Sequence, residues 1–312
     1  MKYYVQIYLG ISALLGLVAC ASDNGVTDEG RARLGLEVNI GTSATRATYQ
    51  MTQAVINNPT AFAEGDAVGL SVSDAVGTVY TTVNTPYTLN GTVWQGTDIW
   101  LNDTPAMVSA YYPYSSTTDP TAISMDCTEN FDLLYVAYDE DNTVNNYRPK
   151  ATIALKHAMS IFRLSIFSSI GAATISAVEL SGEAIRKAGT LNTLTGKYTF
   201  STTATDILRA EGLSVSVSQD VNNPTTLDFY VLPTGTDNSY LIITLTIDDK
   251  NYTATVSNRP FSQGRIYEFP LELGDGRVLT VSSVMVKEWD VYRHNYDHNN
   301  NEYYDVEPDT DD

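Results

Sequence analysis

The side chain best suited to covalent chemistry near the amino terminus is the thiol of Cys20. It closes Leu17-Val18-Ala19-Cys20, a lipobox in which small residues fit a signal peptidase and the thiol accepts diacylglycerol. The preceding segment suits that use. Lys2 gives a positive start, and residues 7 to 19, IYLGISALLGLVA, give an apolar stretch too short to span a bilayer comfortably. Residues 1–19 therefore read as a lipoprotein signal peptide, with Cys20 as the lipidation site. Acyl chains there anchor durably, at about 0.8 kcal/mol per buried CH₂. Cys127 has no His or second cysteine near it in sequence and is expected to be a small buried or half-buried thiol.

Other reactive patterns fail on inspection. His157 lies in the apolar run ALKHAMSIF and is expected on the half-solvated face of a strand. His294 and His298 sit four apart among Asp290, Asp297 and Glu302, but without a helix to fix that spacing the ligands would not converge on a metal. Asp297, Asn299 and Asn301 imitate the start of a calcium loop, yet Glu302 stands where its glycine belongs and Pro308 where its closing glutamate belongs. Thr195-Gly196-Lys197 imitates a P-loop end, but Leu191 replaces the first glycine and Tyr198 the magnesium-binding hydroxyl, so a hairpin turn is the simpler reading. Gly212-Leu213-Ser214-Val215 is followed by Ser216, which rules out a nucleophile elbow. Abundant carboxylates leave glycoside hydrolysis open without singling out a pair. No catalytic residue, metal or cofactor is expected, and the chain is read as a non-enzyme.

The elements that must carry these residues are strands. Leu34, Leu36, Val38 and Ile40 alternate with Gly35, Glu37 and Asn39, placing four apolar side chains on one face. Similar runs recur at 67–73, 78–83, 106–112, 132–138, 151–167, 212–218, 226–232, 240–247 and 251–257. Turn signals such as Asn90-Gly91, Asn57-Asn58-Pro59, Asp119-Pro120 and Asp248-Asp249-Lys250 separate them as in antiparallel all-β domains. One short helix near residues 52–58 is conceivable.

The polar loop at 139–150 reads as a domain boundary. The resulting organisation is a tether at 20–33, β-sandwiches at 34–150 and 151–289, and an acidic, solvated tail at 290–312. VSAYYPY (108–114) and DFYVLPT (228–234) each end a strand at a proline, a faint echo of duplication.

Acidic residues number 37 against 18 basic in 312, a formal charge of −19, which argues against nucleic acid as a partner. Trp94, Trp100, Tyr111, Tyr112 and Tyr114 cluster in the first half, where exposed rings would stack on sugars and buried ones would fill the core.

Taken in order, the lipobox, RLGLEVNI, Thr45-Arg46-Ala47, FAEGDAVGLSV, VSAYYPY, DLLYVA, LKHAMSIFRLSI, DFYVLPT and VMVKEW resemble the fimbrillin family, the type V pilins of Bacteroidetes, over nearly the whole chain from Met1 to Trp289. The resemblance implies two tandem transthyretin-like, Greek-key β-sandwich domains and an outer-membrane lipoprotein displayed at the cell surface. It also implies a structural role in a fimbria rather than enzymatic activity, with other fimbrial subunits as partners.

In polymerising members a trypsin-like protease cuts after an arginine that follows the first strand; Arg46 matches that position, with Ala47 as the new amino terminus. The vacated groove then takes a strand from a neighbour, and RVLTVSSVMVKEW (277–289) supplies candidate donors. The acidic tail is longer than a simple donor needs, which keeps a tip or anchor subunit open beside a stalk subunit. A surface glycan-binding outer-membrane lipoprotein using Trp94, Trp100 and Tyr111 to Tyr114 is the alternative function.

Overall fold

A computed structural model describes residues 26–27, 30–40, 62–128, 133–200, 206–234, 240–257, 260–275, 278–288 and 302–304. Every regular element among them is a strand. The all-β reading holds, and the 52–58 segment lies outside the described residues.

The amino-terminal half is built on a seven-stranded sheet. Its spatial order is Gly35–Ile40, Lys150–His157, Leu134–Val136, Met107–Tyr112, Ala67–Ser73, Thr81–Asn90 and Val93–Gly96. The two outermost strands come back into contact, so the sheet curls almost into a barrel around Val68, Leu70, Leu101, Ile153 and Leu155. The Asn90-Gly91 signal forms a hairpin in which Asn90 pairs with Val93 and Gly91 takes φ +63°, a conformation that favours glycine.

The carboxyl-terminal half pairs a six-stranded sheet with a four-stranded one. In the larger sheet Ser160–Ser168 lies between Thr225–Val231, antiparallel, and Arg265–Leu273, parallel. The smaller runs Leu208–Ser216, Thr174–Ser181, Leu241–Ile247 and Lys250–Val256. Both sheets feed one core, in which Phe162 packs on Phe261 and Phe269 with ring centroids 4.6 and 5.2 Å apart. Asp248 and Asp249, at φ 49° and 61°, close a two-residue hairpin of the twist that antiparallel strands favour.

In both halves an early strand runs parallel beside a late one. Gly35–Ile40 pairs with Lys150–His157 in one half, and Ser160–Ser168 with Arg265–Leu273 in the other.

The apolar run 151–167, expected as one strand, is two. Lys150–His157 ends in the first sheet, Ala158 and Met159 turn the chain with no exposure, and Ser160 begins the second sheet. Hydrophobic patterning gives no sign of the break because residues on both sides of it are buried. His157, expected on a half-solvated face, is only 2 % exposed, because its strand has a neighbour on each side and a core beneath.

The halves share apolar core, with Tyr111, Ile123, Met125 and Leu133 packed in the same cluster as Phe162 and Leu191, and are joined by polar contacts as well. Ile123–Asp126, from the first half, pairs with Ala188–Asn192, which pairs in turn with Lys197–Phe200. The Tyr135 hydroxyl donates to Gln263 Oε1 at 2.6 Å, and the Tyr198 hydroxyl donates to the carbonyl of Ala158 at 2.5 Å. The Tyr138 amide donates to the carbonyl of Leu194 at 3.0 Å.

Two buried charges illustrate how polar groups are kept inside. Burial alone would raise the Asp74 carboxyl pKa, but amides of its own loop overcome that. Val79 and Tyr80 donate to Oδ1 at 2.8 and 3.2 Å, Thr78 at 2.9 Å and Val76 to Oδ2 at 3.3 Å, and the pKa falls to about 2. Asp228, fully buried, receives Arg163 Nε at 2.8 Å and an amino nitrogen of the same guanidinium at 2.7 Å, a two-pronged pair across adjacent strands.

Two outcomes follow. Arg163→Met alone should cost about 3–5 kcal/mol by stranding Asp228, whereas Arg163→Met with Asp228→Leu should be nearly neutral, both read from urea midpoints. Asp74 is depressed when folded, so its contribution is present above pH ~4 and lost as pH falls toward ~2. Asp74→Asn should therefore flatten the stability-versus-pH curve in that window.

Candidate functional site

The candidate site is the opening strand, Gly35–Ile40, and the slot that holds it. Alternation decides which side chains face in: Leu34, Val38 and Ile40 are buried and Leu36 half-buried, while Gly35, Glu37 and Asn39 are exposed. The strand sits at the edge of the seven-stranded sheet and pairs in parallel with one neighbour, from Gly35 opposite Lys150 to Ile40 opposite Leu155. Its other flank packs against Val93–Gly96 without a hydrogen-bonded ladder. It is a stave closing a seam.

Its amino-terminal end is pinned by the amide of Leu34 donating to the Ile99 carbonyl and that of Gly35 to the Pro149 carbonyl, both at 2.8 Å. On the solvent side Lys150 Nζ meets Glu37 Oε2 at 2.6 Å, and this bonded cation pulls the Glu37 carboxyl below its ordinary pKa. Both side chains are about half exposed, so the pair sets register more than stability.

The four apolar side chains contribute most of the hold. At about 1.5 to 3 kcal/mol each they amount to at most ~6 to 12 kcal/mol, comparable to the ~5 to 15 kcal/mol net stability of a domain. Removing the strand would bare Ala151, Ile153 and Leu155 together with the backbone edge of their strand. Such an edge and groove are suited to accept another strand.

The other residues singled out by sequence fall as follows. Cys20, Arg46 and Ala47 lie outside the described residues, as do His294 and His298; the chain is described up to Ile40 and again from Phe62. Among the described residues no group of His, Cys, Asp and Glu is placed to hold a metal. Cys127 is buried, its thiol donating to the Arg186 carbonyl at 3.3 Å, and burial pushes its pKa up to about 12. Thr195-Gly196-Lys197 is a hairpin turn, with Gly196 at φ +72° donating its amide to the Asn192 carbonyl at 2.8 Å.

The proposed sugar-stacking aromatics are largely occupied by the protein itself. Trp94 is buried edge-on against Phe62 with centroids 5.0 Å apart. Tyr111 is buried and donates to Asn84 Oδ1 at 2.7 Å. Tyr112 packs against Phe62 and bonds Asp66, and burial beside that carboxylate lifts its phenol to about 12. Trp100 alone among these four is exposed.

The candidate donor segment is already in use. Leu279–Val281 and Val284–Glu288 both pair with Arg265–Leu273 in their own sheet. Part of the tail, expected to be solvated, forms the strand Glu302–Tyr304 along Val284–Val286. Composition concealed this, because three residues pair through their backbone whatever their polarity.

With the fold in view, comparison with known proteins is informative. The model of the fimbrillin-like family matches residues 45–289, and the chain belongs to that family. No curated protein matches it. Its fold is similar to that of a candidate cell adhesion protein from Bacteroides uniformis, at 21% identity and TM-score 0.54, covering 84% of this chain and 100% of that one. A fimbrial protein from Bacteroides vulgatus gives 14% identity and TM-score 0.55, covering 82% and 99%. The family match begins at residue 45, after the opening strand and one residue before Arg46.

Sequence reasoning found the opening strand but not its mate. Lys150–His157 carries the same alternation as Gly35–Ile40, and that shared period was the available signal. Leu34→Ala should lower stability by about 2–5 kcal/mol, whereas Asn39→Ala on the exposed face should stay within about 0.5 kcal/mol, measured by denaturant unfolding.

Proposed function

We propose that this protein is a structural subunit of a cell-surface fimbria, exported as an outer-membrane lipoprotein through Cys20 and matured by a trypsin-like protease that cuts after Arg46. The single observation that carries the reading is the opening strand: its apolar face buried, at a sheet edge, hydrogen-bonded on one side only and joined to the body by the segment containing Arg46. Proteolysis would sever that connection while leaving residues from Ala47 onward as one chain. A strand from a neighbouring subunit would then fill the seam. We further propose that the two halves, meeting at Ala158-Met159, are tandem sandwich domains of one architecture, and that adhesion is the fimbria's purpose.

The chain's own candidate donor is folded into its carboxyl-terminal sheet, so in this scheme Val284–Glu288 must leave Arg265–Leu273 before it serves a neighbour. A subunit that accepts a strand without giving one, at the tip or base of the fibre, fits the same geometry. Burial of Trp94 and Tyr111 leaves the glycan-binding alternative with little aromatic surface.

Treating the purified precursor with trypsin should give a fragment beginning at Ala47 that forms ladders resistant to mild denaturant on electrophoresis. Arg46→Ala should abolish both fragment and ladder. A cleaved product that simply unfolds would count decisively against the scheme.

A further inference from the structure

One end of the amino-terminal half gathers segments distant in sequence. Tyr80 donates to Asn102 Oδ1 at 2.7 Å, the Asn146 amide donates to the Asn102 carbonyl at 2.8 Å, and Asn146 Nδ2 donates to the Gly30 carbonyl at 2.6 Å. Trp100 pairs with Arg33 across a small sheet. Four apolar side chains stand out from this end, Val76 79 %, Tyr147 80 %, Val79 46 % and Trp100 39 % exposed. The strand Lys150–His157 leads from this end to the chain's crossing into the second half at Ala158, about 23 Å away.

The chain enters at this same end. Val26 pairs with Ala32, and Ala32 with Leu101. Only six peptide units separate Cys20 from Val26, a reach of about 20 Å even when fully extended. Whatever holds Cys20 therefore lies close to Trp100 and Tyr147. Arg31, Arg33, Arg148 and Lys150 offset Glu37, Asp98 and Asp103 here, while the loop before Val144 adds Asp139, Glu140 and Asp141, so a zwitterionic rather than an anionic lipid surface fits this end. The charge of Asp74 is taken up by backbone amides.

We propose that this end is a membrane-facing surface: when Cys20 is acylated, Trp100 and Tyr147, with Val76 and Val79 beside them, rest on the phospholipid surface at headgroup level. Amphipathic rings favour that depth, with their apolar bodies among the upper acyl chains and their polar tips in water. Scattered valines and rings bind a bilayer weakly by themselves, and the short tether supplies the high local concentration that makes the contact persist. The contact orients the precursor with its second half pointing away from the membrane. This inference rests on Cys20 as the anchor, but its test does not depend on lipidation in the cell.

The chain from Cys20 to Asp312 is coupled through its Cys20 thiol to a maleimide lipid in phosphatidylcholine vesicles carrying nitroxide-labelled headgroups. Cys127, buried and with a raised pKa, stays unreacted. Tryptophan fluorescence should fall relative to unlabelled vesicles. Trp100→Phe, with an unchanged unfolding midpoint, should remove most of that quenching, and Tyr147→Ser should reduce it while Trp100 remains. No quenching in the unaltered chain, or equal quenching after Trp100→Phe, overturns the proposal. So does self-association of uncoupled chains that Trp100→Phe abolishes, because it assigns the surface to a second copy. Mass spectrometry of the amino terminus extracted from cells tests the anchor separately.

Discussion

The amino-terminal half depends on one pairing, that of Gly35–Ile40 alongside Lys150–Leu155. A parallel pair must join residues far apart in sequence, so this ladder ties the start of the half to its end and encloses everything between them. It is also the place where the sheet closes on itself without a full set of hydrogen bonds. On one side the strand is held by backbone and on the other by side chains alone. Apolar burial thus provides the larger share of its stability, and burial does not depend on which chain supplies the strand. A fold closed this way is what the strand replacement proposed above requires.

The carboxyl-terminal half uses the same parallel juxtaposition differently. Ser160–Ser168 is internal to its sheet, with a partner on each flank, so it cannot be withdrawn without dividing the sheet. Its buried Arg163–Asp228 pair lies between those strands and fixes their register. Contacts through Tyr135, Gln263 and Tyr198 then brace the junction at Ala158. One half has a seam and the other does not, and the junction between them is stiffened by shared apolar core and polar contacts rather than left as a linker.

How much was legible in the sequence can be argued from particular elements. RLGLEVNI declared its buried face because only one side of an edge strand meets a core, and period-two alternation records that directly. Asp248-Asp249 and Asn90-Gly91 declared their hairpins because positive φ restricts the residues that fit. Ser160–Ser168 declared neither its length nor its face. It is covered on both sides, so its apolar run merges with the preceding strand and the turn at Ala158-Met159 leaves no polar mark. Trp94 and Tyr111 misled for a related reason: an aromatic ring suits a core and a sugar equally, and its neighbours decide which.

The sequence by itself determined the all-β class, the alternation of the opening strand and the family resemblance, because these reside in local pattern and the order of short motifs. Only the tertiary structure decided that the opening strand lies at an edge beside Lys150–Leu155, that the candidate donor is paired within its own sheet, and that Trp100 and Tyr147 share a surface with the start of the chain. Each of these is a relation between residues far apart along the chain. Such relations are set by which strands pair, and pairing is a competition among all the strands at once that no single stretch of sequence records.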